Sequence, residues 1–161
     1  MRLALFAAFA VTAVFAGFDT KAQSFSKIYS QWLGTSMPLD VFNGGEFDKY
    51  VHVAPEADVS GQNWSRRPEN GAVRLSTQFL GESMCLDVAN GGPLDRFVLL
   101  TPCGNFSGQF WTFRDLGYWQ QLINEFTGKN SCLSVVSGGE HDRMVQMQDC
   151  GGFTGQSWQT N

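Results

Sequence analysis

An all-β fold with pseudo-threefold symmetry is predicted for this chain of 161 residues by three observations. The phrase Gly-Gln-x-Trp ends three stretches, Gly61 to Trp64, Gly108 to Trp111 and Gly155 to Trp158, with the tryptophans 47 residues apart both times. The four cysteines keep the same step, Cys85 with Cys132 and Cys103 with Cys150. Short runs alternate apolar and polar residues between paired glycines, and no 3.6-residue period is sustained. A fixed period of this size marks one structural unit built three times.

The units run 26–64, 73–111 and 120–158. Each opens with an aliphatic residue (Ile28, Leu75, Leu122), then an aromatic (Trp32, Phe79, Phe126) and a glycine (Gly34, Gly81, Gly128). In Leu39-Asp40-Val41 the aliphatics point one way and the aspartate the other, which is a half-buried strand. Leu86-Asp87-Val88 and Leu133-Ser134-Val135 are its copies. Asn43-Gly44-Gly45, Asn90-Gly91-Gly92 and Ser137-Gly138-Gly139 supply residues that tolerate the positive φ of a hairpin turn. Asp48-Lys49, Asp95-Arg96 and Asp142-Arg143 follow, their aspartates placed to hydrogen-bond the turn. A third run, Val51 and Val53 alternating with His52 in the first unit, leads to the Gln-x-Trp phrase. Each unit thus holds about four short strands, about twelve in all.

One such unit cannot bury its own apolar face, whereas three closed around an axis can. Closure also removes the sheet edges that invite aggregation. A β-trefoil is the economical solution. The Gln-x-Trp tryptophans, the 28/75/122 aliphatics and the 32/79/126 aromatics are expected to meet in its core. Tyr118 and Trp119 break the repeat, standing where Gly71 and Ala72 stand one unit earlier. They predict either an exposed contact or a plug for the barrel end.

Residues 1–22 are expected to be a secretory signal peptide, cut after Ala16 or Ala22, which leaves 23–161 as one domain. Arg2 precedes an apolar run from Leu3 to Phe18 that is too short to cross a bilayer. Removing Arg2, Lys21 and Asp19, two cations and one anion, takes the formal charge from −4 to −5. An acidic chain without a basic run argues against nucleic acid and anionic membranes. Secreted or periplasmic residence follows, where disulfides persist. Four cysteines allow three pairings; the repeat favours Cys85–Cys103 and Cys132–Cys150, with Pro38 and Glu56 standing in their place in the first unit. The spacing does not suit zinc, and the two histidines are His52 and His141. No metal or cofactor is expected.

With Cys85-Leu86-Asp87-Val88, Asn90-Gly91-Gly92, Cys103-Gly104-Asn105 and Gly108-Gln109-Phe110-Trp111 in one unit, the chain resembles the ricin B-type, Gln-x-Trp lectins. Cys132-Leu133-Ser134-Val135, Cys150 and Gln156-Ser157-Trp158 repeat the pattern, and the resemblance covers residues 23–161. It implies binding of galactose-type or other simple sugars in shallow pockets, up to one per unit. It equally implies a setting as a protein-binding module or toxin subunit.

By this resemblance Asp40 and Asp87 accept hydrogen bonds from sugar hydroxyls, which suits an ionised carboxylate with two acceptor oxygens. Ser134 breaks the pattern in the third unit. Asn43, Asn90, Asn105, His52 and Gln109 complete the expected carbohydrate contacts. Gln62, Gln109 and Gln156 occur in all three units and also read as backbone supports. The outward positions of the third strands (His52 and Ala54, Leu99 and Thr101, Gln146 and Gln148) include no broad aromatic to stack a sugar ring, and His52 is the nearest substitute. Gly61, Gly108 and Gly155 stand where many relatives carry a ligand-binding asparagine.

No His-Glu-x-x-His, Gly-x-Ser-x-Gly, phosphate-loop or dinucleotide motif occurs. A nucleophile-and-base pair is hard to assemble from two histidines and no cysteine expected free. A monomeric, non-catalytic glycan binder is therefore expected, without membrane insertion. A protein-interaction module is the alternative.

Overall fold

The computed structural model describes residues 23–161, so the expected signal segment 1–22 lies outside the described residues. The described residues form twelve strands. They are β1 (Ile28–Ser30), β2 (Leu39–Val41), β3 (Val51–Val53), β4 (Trp64–Glu69), β5 (Ala72–Thr77), β6 (Met84–Val88), β7 (Val98–Pro102), β8 (Trp111–Asp115), β9 (Gln120–Asn124), β10 (Ser131–Val135), β11 (Val145–Asp149) and β12 (Trp158–Thr160). The only helical elements among them are three single 3₁₀ turns, Ser60–Gln62, Ser107–Gln109 and Thr154–Gln156, each just ahead of a Gln-x-Trp strand. All described elements are β-strands or such turns, as the alternation predicts.

Six strands make a barrel. β4 pairs β5, β8 pairs β9, and β12 pairs β1, the last joining the two ends of the domain. These strand pairs meet at three contacts in phase with the repeat: Ser26 with Trp64, Val73 with Trp111, and Gln120 with Trp158. The ring is closed, so none of its strands presents a long free edge.

The other six strands form three hairpins, β2–β3, β6–β7 and β10–β11, which cap one end of the barrel. They too interlock in phase, through bridges of Tyr50 with Leu99, Phe97 with Gln146, and Met144 with His52. Lys49, Arg96 and Arg143 adopt left-handed backbones (φ 66°, 64° and 67°). Their carbonyls accept from Leu100, Met147 and Val53 of the neighbouring hairpin at 2.9, 2.8 and 2.9 Å. The preceding aspartates do secure the turns: Asp48, Asp95 and Asp142 accept from the amides of Gly44, Gly91 and Gly138 at 2.7, 2.6 and 2.6 Å.

The core lies on the axis between barrel and cap. Ile28, Leu75 and Leu122, Leu39, Leu86 and Leu133, and Val51, Val98 and Val145 are all fully buried. Each Gln-x-Trp tryptophan is buried and its indole Nε1–H donates to a hairpin carbonyl: Trp64 to Leu39 at 3.0 Å, Trp111 to Leu86 at 2.9 Å, Trp158 to Leu133 at 2.9 Å. The aromatics expected beside them are elsewhere. Trp32, Phe79 and Phe126 are 42%, 37% and 42% exposed. They stand in the turns after β1, β5 and β9, beyond the barrel wall, where the chain has already left the core.

Both bridges form as the repeat favours, Cys85–Cys103 and Cys132–Cys150. The first unit keeps the accompanying backbone bond, Glu56 amide to Ser36 carbonyl at 2.8 Å, matching Cys103 to Ser83 and Cys150 to Asn130. In place of a covalent link it has Lys27, whose Nζ meets Glu56 Oε1 and the Ala57 carbonyl at 3.0 Å each. Such a partly exposed pair contributes little compared with a disulfide.

Replacing Trp111 by Phe removes the indole bond to Leu86 and opens a cavity at the centre of the core. A loss of about 2–4 kcal/mol is expected in urea denaturation. A loss under about 1 kcal/mol would show that the indole is not the anchor described here.

Candidate functional site

Asp40 lies in β2 and Asp87 in β6, and inward-facing Leu39 and Val41, or Leu86 and Val88, turn their carboxylates away from the core. Each carboxylate folds back over its own strand. Asp40 Oδ1 accepts from the Val41 amide at 2.7 Å, and Asp87 Oδ1 from the Val88 amide at 2.8 Å. The second oxygen accepts from glutamine Nε2, Gln62 at 3.0 Å for Asp40 and Gln109 at 3.1 Å for Asp87. Asp87 Oδ2 also accepts from the Thr101 hydroxyl at 2.8 Å, a donor that Ala54 cannot supply to Asp40. The carboxylates are thereby oriented while retaining lone pairs for an incoming hydroxyl.

The glutamines work from underneath. Gln62, Gln109 and Gln156 are buried, their Oε1 atoms accepting from the amides of Ala57, Gly104 and Gly151 at 2.9, 2.8 and 2.8 Å. Their Nε2 atoms donate to the carbonyls of Pro55, Pro102 and Asp149. Gln109, expected among the ligand contacts, therefore cannot reach a ligand: it has no exposed surface and acts by positioning Asp87.

Two cavities open beside these carboxylates, and their linings correspond residue for residue at a step of 47. The second unit's, about 440 Å³, brings together Asp87, Asn90, Asn105, Phe106, Gly108 and Phe126. The first unit's, about 480 Å³, brings together Asp40, Asn43, Asp58, Val59, Gly61 and Phe79. Five expected residues, Asp40, Asn43, Asp87, Asn90 and Asn105, thus converge on two pockets. His52 lines neither. It lies face to face on Phe42, ring centroids 3.7 Å apart, at the junction with the third hairpin.

The aromatic wall absent from the third strands is supplied by the following unit. Phe79 closes the first pocket and Phe126 the second, and Phe106 adds a further ring to the second. The Phe79 amide donates to the Ser60 carbonyl at 3.2 Å, pinning the second unit's turn against the first unit's site. The in-phase aromatics at 32, 79 and 126 were the available signal in the sequence. Hydrophobicity alone assigns them to the shared core instead.

The glycines before the glutamines have a steric role. A methyl added at Gly61 or Gly108 would run into Oδ1 of Asp40 or Asp87. At Gly155, where Ser134 replaces the aspartate, the nearest atom would be the Val135 carbonyl oxygen at 3.7 Å. An aspartate folded over its strand and a glycine beneath it form one device.

The ricin-type beta-trefoil lectin domain matches residues 27–158. The chain belongs to this family. No curated protein matches it in sequence. Among solved structures it is similar to a GlcNAcα1-4Gal-releasing endo-β-galactosidase from Clostridium perfringens, with TM-score 0.69 and 13% identity over 84% of this chain and 31% of that one. The chain thus spans about a third of that enzyme's length. It is also similar to the designed threefold-symmetric protein ThreeFoil, with TM-score 0.70 and 23% identity over 84% of this chain and 96% of that one. A ricin B-like lectin from Macrolepiota procera, solved in complex with lactose, gives TM-score 0.67 and 18% identity over 89% and 99% of the two chains.

In this ricin-type trefoil the third position keeps aromatics and loses charge. Trp32 lies beside Gly155, its amide donating to the Thr154 carbonyl at 3.2 Å, and Phe153 is exposed nearby. Ser134 is buried and offers no carboxylate.

Gly108→Ala is expected to push the Asp87 carboxylate off its strand, shifting the Val88 amide resonance and costing roughly 1–3 kcal/mol. Gly155→Ala, with room for its methyl, should be neutral or stabilising by up to about 1 kcal/mol. Equal responses at the two sites would dissociate the glycine from the aspartate.

Burial holds the His52 imidazole below the ordinary histidine value, with the Asp40 carboxylate pulling weakly the other way. The unfolded chain then binds this proton more tightly, so the contribution is constant above about pH 6.5 and is lost as pH falls through the folded value. NMR titration should place the His52 midpoint below 6.5, and His52→Gln should flatten the acid limb of stability. A midpoint at or above 6.5 would contradict this.

Proposed function

We propose that this protein is a secreted, non-catalytic carbohydrate-binding module that takes simple sugars, galactose-type among them, in the first- and second-unit pockets. The observation that carries the reading is the duplication of one arrangement: a strand-held carboxylate, an asparagine from the hairpin turn and an aromatic wall, repeated at a step of 47. An acceptor-only carboxylate beside an asparagine amide suits the paired hydroxyls of a pyranose. The phenyl face beside them suits its apolar C–H surface. Family membership supports the reading, and so does the lactose named with the Macrolepiota procera lectin. The pockets are shallow, which fits millimolar to micromolar affinity. Export through residues 1–22 and residence outside the cytoplasm accord with two disulfides and no free cysteine among the described residues.

A second reading, a protein-binding module or toxin-like subunit, is favoured by the β8–β9 hairpin. Its tip carries Leu116 and Tyr118, both largely exposed, with Tyr118 packed edge-on against Trp119 at 5.5 Å. Of the two expectations for this pair, the exposure of Tyr118 supports the exposed contact. Stoichiometric co-purification of a protein partner, lost on Tyr118→Ala, would support that reading.

On a broad glycan array the wild-type protein should bind and the Asp40→Asn/Asp87→Asn double variant should not. Phe126→Ala should weaken binding at the second pocket alone. Glycan binding retained by the double variant would remove the proposed site.

A further inference from the structure

The two pockets superimpose in position and differ in charge. Where the second has Asn105, the first has Asp58, and where the second has the Thr101 hydroxyl on its carboxylate, the first has Ala54. The first pocket therefore has two carboxylate residues, Asp40 and Asp58, in its lining, with Phe79 as its wall. The second presents one carboxylate, which accepts from three donors, the Val88 amide, Thr101 and Gln109, and keeps a lone-pair site for a neutral hydroxyl.

The cations nearby do not cancel this difference. Lys27 is committed to Glu56 and to the Ala57 carbonyl, and among the described residues no ion pair involves Asp58 or Asp40. His52, the cross-strand partner of Asp40, is turned onto Phe42. Asp40 and Asp58 both line the first pocket, so its lining carries two negative charges where the second carries one. A ligand bearing one positive charge gains a charge-assisted hydrogen bond there that a neutral sugar does not.

We propose that the first-unit pocket selects amino sugars, hexosamines with a free protonated amine, over their neutral parents, with Asp58 as the specificity-determining residue. This rests on the carbohydrate reading of the same pockets and assigns them different ligands. The second pocket remains a neutral-sugar site. A chain with both would engage glycans that mix free-amine and neutral residues, each pocket taking its own kind.

The test is an amide-resolved NMR titration of the disulfide-bonded protein. Galactosamine and glucosamine are compared with galactose, glucose and N-acetylgalactosamine. Gly61 reports the first pocket and Gly108 the second. At Gly61 at least one free amine should bind roughly two- to fivefold more tightly than its parent sugar, the range of an exposed ion pair. That margin should shrink with added salt. Gly108 should show no such preference. Asp58→Asn should abolish the preference at Gly61, and Asn105→Asp should create it at Gly108. Equal affinities at Gly61, or a preference that survives Asp58→Asn, would overturn the proposal. If the sugars move Gly108 while Gly61 fails to discriminate, the inference falls and the carbohydrate reading stands. If neither amide responds to any sugar, both fall together.

Discussion

Each Gln-x-Trp phrase fastens two layers of the molecule at a single point. The tryptophan begins a barrel strand, fills the axis with its ring, and donates its indole proton to the carbonyl between the hairpin's two inward aliphatics. Two residues earlier the buried glutamine ties the loop beyond the hairpin to the same turn and, in two units, holds the aspartate. Barrel, cap and pocket are thus set by one short segment. Moving the ring would shift the hairpin carbonyl, and with it the carboxylate one residue further along the strand. The in-phase barrel contacts at Trp64, Trp111 and Trp158 start from these residues too.

The pockets belong to the joints between units. Carboxylate, asparagine and glutamine come from one unit, and the aromatic wall from the next. Site and assembly are consequently coupled: what brings Phe79 to the first pocket is the same closure that hides the core. The coupling also lets the pockets diverge. Exposed loop positions such as 58 and 105 change the character of a pocket without touching the buried scaffold that orients it. The third position shows a different outcome, since there the aspartate itself has gone and the glycine beneath Ser134 is no longer under steric demand.

Much of this was legible in the residues. The 47-residue period carried the unit boundaries, the hairpins, the turn aspartates and both disulfide pairings, because each is decided by local chemistry repeated in phase. Leu39 and Val41 announce a strand by alternation, and Asn43-Gly44-Gly45 a turn by its tolerance of positive φ. Asp40 and Asp87 follow as outward residues. Phe79, Phe126 and Trp32 were misplaced because hydrophobicity alone does not say whether a ring is buried or stands at a rim; what separates these rings from Trp64 is their place in turns past the strand ends. Gln109 was drawn both ways, as a support and as a ligand contact, since a side-chain amide is chemically suited to either.

A threefold all-β architecture follows from the residues alone, since the in-phase tryptophans, aliphatics and cysteines can be buried and paired together only by closure about an axis. What a pocket contains is settled by how the three units pack. Phe79 and Asp40 lie 39 positions apart in different units, and nothing in either unit's local pattern reports that closure brings them to one cavity. The same holds for the glycine beneath each aspartate. A steric exclusion between Gly108 and the Asp87 carboxylate exists only when two segments of chain are packed against each other, so it leaves no mark in composition or periodicity.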